Sequence, residues 1–294
     1  MPASYAHDRF GNDVLRLLPA DLRTLLESEK AIYDIGVQGP DIFFYYRPLL
    51  PGPVKKVGGL IHAESGRAFF TDAFRVLREK QAEQAEESLR TDRWSVPSVR
   101  DASLAYVCGC LCHFVLDSHC HPAVFAATAE KDFPHADIEG QFDRFLMVLD
   151  GEEPVETDVT AHFHPTIRSA AVIEPFYPLV PFKKTAASLK GFVRIHAICR
   201  CPDDKKRNVL YTGIRLIGKE KSLHGHIITK EADPAYEATS AELVRRYAEA
   251  IPEAVRLING LWSLWQAGIP DTEKDPVPYL ADRAFDLNYE GDQV

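Results

Sequence analysis

The chain lacks an excess of positive charge: 34 Lys and Arg stand against 43 Asp and Glu, a formal net charge of −9 at pH 7. The electrostatic drive for generic binding to nucleic acid or anionic membranes is therefore missing globally. Also absent is any run of about 18 apolar residues that spans a bilayer. The opening stretch MPASYAHDRFGND is polar, with no basic segment leading into an apolar one. Together these absences lead to the expectation of a soluble, non-exported, cytoplasmic protein. A spaced cysteine framework is missing too, because four of the six cysteines (Cys108, Cys110, Cys112, Cys120) crowd into one predicted helix. Reduced thiols fit that pattern better than disulfides. Neither the CGCLC run nor Cys199-x-Cys201 has the C-x2-C spacing of a zinc ribbon, so both read as packing or neutral residues.

What is present is an ordinary globular composition, 46% apolar and 26% charged over 294 residues, ample for a buried core. Apolar spacing of three to four residues predicts helices at 19–33, 67–88, 99–126, 139–149 and 241–266, with a weaker stretch at 186–199. No strand is required, so the fold expected is mainly α, a single domain over 1–294. Residues 208–228 read equally as a strand pair or as irregular structure. The proline-rich segments 36–53 and 150–181 read as ordered, packed loops rather than domain boundaries.

The strongest feature is CHFVLDSHCHP, where His113, Asp117 and His121 follow one another at steps of four. Each such step rotates an α-helix by only about 40°, so three ligand-type side chains share one stripe. FPHADIEGQFD then sets His135 and Glu139 four apart, with Pro134 suited to a helix start. Imidazole and carboxylate are the ligands of open zinc sites, and facing helices are a common way to build a multinuclear centre. One His-x3-Asp pair alone is more often a helix-surface contact. Five candidates in the 27 residues from His113 to Glu139 exceed chance clustering.

The ordered set of the early His in SYAHDRFG, the Asp of GPDIFFY, the His of GGLIH, then H-x3-D-x3-H and H-x3-E resembles the zinc-dependent phospholipases C of bacteria, related to the fungal single-strand-specific nucleases. The likeness runs from His7 to Glu139, a little under half the chain. It implies a multi-helix bundle of the phospholipase C/nuclease type with a metal cluster of two or three Zn2+ ions between helices. By this resemblance Asp41, His62, His113 and Asp117 hold one zinc, His121, His135 and Glu139 a second, and His7 with the bridging Asp117 a third. In the family the amino-terminal residue of the mature chain completes the third site. That residue here would be Pro2 or Met1, and water is expected in its place. The family's longer spacing before the last His of the long helix differs from this chain, which makes His119 a fallback ligand.

The resemblance implies a zinc-dependent phosphoester hydrolase, phospholipase C-like, with Asp41 as the catalytic residue that takes the proton of the attacking water. Phe43, Phe44 and Tyr45, with Tyr46, follow Asp41 and are candidates for substrate binding, although packing onto the core explains them equally well. The partner expected is a small phosphoester or phospholipid, with nucleic acid only as a substrate. The alternatives are a nuclease-like phosphodiesterase, a non-catalytic metal-binding protein and a di-iron or di-manganese carboxylate protein. The last favours Glu-x-x-His pairs that this chain lacks. His162, His164, His224 and His226 read as packing or surface residues.

Overall fold

Helix formation along this chain centres on one 33-residue element, Val99–Lys131, which is buried on all faces from Ala102 to Ser118. A helix that is apolar all round is stable in water only when other elements enclose it. The computed structural model describes residues 3–88, 99–271 and 277–294. Within them the helices are α1 (Ser4–Leu17), α2 (Ala20–Ser28), α3 (Lys30–Gly36), α4 (Pro53–Ala63), α5 (Gly66–Ser88), α6 (Val99–Lys131), α7 (His135–Leu149), α8 (Ile167–Ile173), α9 (Phe182–Cys199), α10 (Asp204–Leu216), α11 (Glu220–Leu223) and α12 (Glu237–Ala267). Among the described residues there is no strand, only the isolated bridges Ser65–Asn288 and Leu287–Gln293. The fold is thus all α, as the periodicity requires.

Around α6 pack α1, α3, α5, α7, α8 and α12. By length and composition α6 passes as a candidate membrane span, but 83% of its apolar window is buried inside the protein. Its four cysteines are free and buried. Burial pushes the Cys110 and Cys112 thiols up to about 12, so these are inert core groups rather than nucleophiles.

Several boundaries differ from the sequence reading, each for a local reason. The helix expected over 19–33 is two helices broken at Glu29. α6 runs through Pro122 to Lys131 rather than ending at 126. Residues 208–228 form no strands: α10, α11 and a 3-10 turn at His224–His226 fill that stretch. The packed loop at 150–181 contains α8, started by a Thr166–Ser169 capping box. Within 36–53 the segment Gly39–Tyr45 is 3-10 helix. α1, which carries the first candidate ligand, was not among the helices that periodicity picked out.

The approach of α3 to α6 positions the site. A Cβ at Gly36 would meet the Tyr106 carbonyl oxygen at 2.4 Å, and one at Gly109 would meet that of Tyr33 at 2.4 Å. The two backbones touch only because both residues lack side chains. Just beyond, Gly39 has φ +51, and a Cβ there would fall 2.4 Å from the His113 ring. Glycine permits both the left-handed backbone and the imidazole's approach, which brings the segment with Asp41 over the middle of α6.

Candidate metal centre

All eight residues expected as ligands converge. His7 comes from α1, Asp41 from the 3-10 segment, His62 from the last turn of α4, His113, Asp117 and His121 from α6, and His135 and Glu139 from the first turns of α7. Asp117 is the hub. Its Oδ1 lies 3.2 Å from His7 Nε2 and 3.8 Å from His121 Nε2, and its Oδ2 lies 3.3 Å from His113 Nε2 and 3.7 Å from His62 Nε2. Asp41 Oδ1 is 3.1 Å from His62 Nε2. Glu139 Oε1 is 3.1 Å from His135 Nε2 and 3.5 Å from His121 Nε2.

These ion-pair spacings are close to the edge length of a coordination polyhedron. Ligands bound tetrahedrally to zinc at its usual 2.0–2.1 Å stand about 3.3 Å apart. Three sets have ligand atoms mutually within 4.8 Å: His7, Asp41 and His113; His62, His113 and Asp117; His121, His135 and Glu139. Each of the eight residues also has a buried ring nitrogen or carboxylate oxygen without a hydrogen-bond partner: His7 Nδ1, Asp41 Oδ1, His62 Nε2, His113 Nε2, Asp117 Oδ2, His121 Nε2, His135 Nε2 and Glu139 Oε2. A buried polar atom left unsatisfied costs about 1–3 kcal/mol, so eight in one place mark a cluster that could hold an ion. The donor set is one that could hold divalent ions.

Outer contacts fix the ring tautomers. His62 Nδ1 donates to Gly58 O at 2.7 Å, His113 Nδ1 to Val37 O at 3.3 Å and His121 Nδ1 to Tyr289 O at 2.7 Å. Each Nε2 is then the nitrogen that faces inward. Tyr289, invisible to the sequence reading, is fully buried, donates its backbone N–H to His62 O at 3.2 Å and packs its ring 5.1 Å from that of His62. No periodic or motif signal marks it.

Electrostatics match an ion-binding cage. Burial raises the Asp117 carboxyl, yet the imidazoles of His121, His113 and His7 hold it well below the usual carboxylate range. Glu139 is held low in the same way, with His135 and His121 outweighing burial. Burial lowers His113 to about 4. Against the same burial, Asp117 and Glu139 push His121 up to about 10. An ion entering that set displaces the His121 proton, so zinc affinity should rise about tenfold per pH unit between about pH 7 and 9. The metal-free fold behaves oppositely. Its gain from protonated His121 is complete below the ordinary value of 6.5 and is lost as pH climbs towards about 10. Zinc competition titrations across this interval check both signs, and a flat affinity would remove His121 from the ligand set.

Seven of the eight residues are buried; His135 is 27% exposed, and Phe125, itself 38% exposed, stands 5.4 Å from it. Of the aromatics after Asp41, Phe43 is buried edge-on against Tyr177, and Tyr45 places its hydroxyl 3.3 Å from His196 Nε2. Phe44 is half-buried with its ring 5.5 Å from that of His62. His119 faces away, 2.7 Å from Glu253, which removes it as a fallback ligand. His162 pairs with Asp8 at 3.5 Å and His224 with Asp137 at 3.0 Å, outside the cluster. The expected third-site contribution of Met1 or Pro2 lies outside the described residues. Comparison with models of known families, with curated proteins and with solved structures finds no match.

Proposed function

We propose that the chain is a zinc-dependent phosphodiesterase of the phospholipase C kind. The observation that carries this reading is the convergence of eight His, Asp and Glu side chains, seven of them buried and each with an unsatisfied buried atom, in three sets, one of them containing Asp117. Two or three zinc ions in those positions would supply Lewis-acid polarisation of a phosphoryl group and a strong nucleophile at neutral pH. The residues supply the remainder. Asp41, with a buried oxygen free of hydrogen bonds, accepts the proton of the attacking water. His135 is the most exposed of the eight residues, which makes its side of the cluster the proposed entry for the phosphate. His-rich i to i+4 pairs favour zinc over the carboxylate-rich di-iron arrangement.

Phospholipid is the favoured substrate over nucleic acid because of the segment joining Tyr45 to α4. Leu49 and Leu50 there are 58% and 57% exposed, flanked by Arg47, Lys55 and Lys56. Exposed leucines set among cations suit a lipid surface better than a polynucleotide. The test is elemental analysis coupled to a panel of dispersed phospholipid, single-stranded DNA and RNA. Hydrolysis of phospholipid that is lost on chelation and restored by zinc is the expected result. Cleavage of nucleic acid alone would establish the nuclease alternative. Full metal content without turnover on any member would establish a binding protein, and less than one equivalent of metal would sink the whole reading.

A further inference from the structure

His7 is the ligand candidate with the least support from its own helix. It sits in the first turns of α1, and that helix starts on Ala3, whose side chain offers no acceptor. The first N–H groups of any helix need partners from outside. Here they come from α7: Asp143 Oδ1 accepts from Ala6 N–H at 2.9 Å, and Oδ2 accepts from Tyr5 N–H at 3.2 Å. Asp143 is 1% exposed. It continues the four-residue stripe of His135 and Glu139, so one helix face carries two cage residues and then the acceptor for α1.

The same turn is tied from two further directions. Ser4 Oγ lies 3.0 Å from His196 Nε2, and its carbonyl accepts from Gln38 Nε2 at 3.1 Å. Gln38 stands three residues before Asp41 and is itself buried. Three residues after Ser4, the His7 ring stacks on His113 with centroids 4.3 Å apart and sets Nε2 against Asp117. Any rotation or slide of this turn moves His7 off Asp117, because nothing between Ser4 and His7 absorbs the shift.

We propose that Asp143 is a positioning residue for the ion that His7 and Asp117 would share, gripping the open end of α1 from α7. This rests on the metal reading given above. The grip links two ions mechanically: α7 presents His135 and Glu139 to one and, through Asp143, holds His7 on the other. A carboxyl group is suited to this work, since its two oxygens take adjacent N–H groups; burial pushes its pKa well above the usual carboxylate range, and the Ala6 and Tyr5 N–H groups oppose that rise. Outer contacts of this sort typically change metal affinity about 10- to 100-fold.

The test compares Asp143→Asn, whose amide oxygen can serve one N–H group but whose NH2 repels the other, with His7→Ala and with the double variant. Each is read by elemental analysis at limiting zinc and by the visible spectrum after cobalt substitution. The expected result is wild-type protein with three equivalents and Asp143→Asn with its third ion weakened about tenfold or more. The other two ions are spared, and the double variant loses no more than His7→Ala alone. A residue that only stabilises the fold would lower the melting temperature and leave three equivalents in place, which overturns the proposal. Loss of all ions together overturns it as well. Where Asp143→Asn does not fold, Asp143→Ser is read in the same way. Wild-type protein holding less than one equivalent overturns the metal reading and this inference with it, whereas three equivalents with an unaffected Asp143→Asn overturns this inference alone.

Discussion

Asp117→Asn should leave at most one metal equivalent per chain and reduce phosphoester turnover by about 10³-fold or more, the several kcal/mol that Lewis-acid stabilisation supplies. Four imidazoles face the two oxygens of this carboxylate at 3.2 to 3.8 Å, so its loss unmakes the set of His62, His113 and Asp117 and takes away the oxygen that faces His7 and His121. The amide is similar in shape, but its NH2 group donates where an ion requires a lone pair. Folding should survive. In the metal-free chain the substitution removes a 4% exposed carboxylate, while Glu139, 3.5 Å from His121 Nε2, remains to compensate that imidazole. The zinc-free variant should melt close to the zinc-free wild type, while added zinc raises the melting temperature of the wild type far more. A variant with full metal and normal turnover would show that Asp117 bridges nothing.

Asp41→Asn should do the reverse, sparing metal while cutting hydrolysis by about 10²–10⁴, the usual worth of a general base. Asparagine retains a carbonyl oxygen for the ion but cannot accept a proton. On the proposed reading both roles fall to the buried Asp41 Oδ1, which lies 3.1 Å from His62 Nε2. Turnover and metal content measured on one preparation separate them. Parallel loss of both would make Asp41 a ligand and nothing more.

Much of the cage was legible before any coordinates because helical spacing is a local rule. Steps of four put His113, Asp117 and His121 on one face whatever surrounds α6, and His135 and Glu139 follow the same rule on α7. That rule also extends to Asp143, yet an aspartate next on the stripe carries no mark of what it will grip, since its partners lie more than 130 residues away in α1. The early ligands were harder. His7, Asp41 and His62 stand alone in sequence, and only their likeness to an ordered family motif singled them out. Phe43 and Tyr45 illustrate the opposite problem, for aromatics beside a ligand read the same whether they face a substrate or the core. The coordinates turn one onto Tyr177 and the other onto His196.

By itself, then, the sequence determined a mainly helical chain and a set of donors spaced to share faces, because periodicity and donor chemistry are properties of neighbouring residues. The tertiary structure alone decided that those faces meet. The Gly36–Gly109 contact lowers the Asp41 segment onto α6. The Tyr289 carbonyl, 168 residues from His121, turns that imidazole inward. Asp143 secures the helix that carries His7. Contacts of this kind depend on how distant segments reverse and pack, and no local pattern encodes which buried carbonyl or carboxylate will end opposite which imidazole or amide.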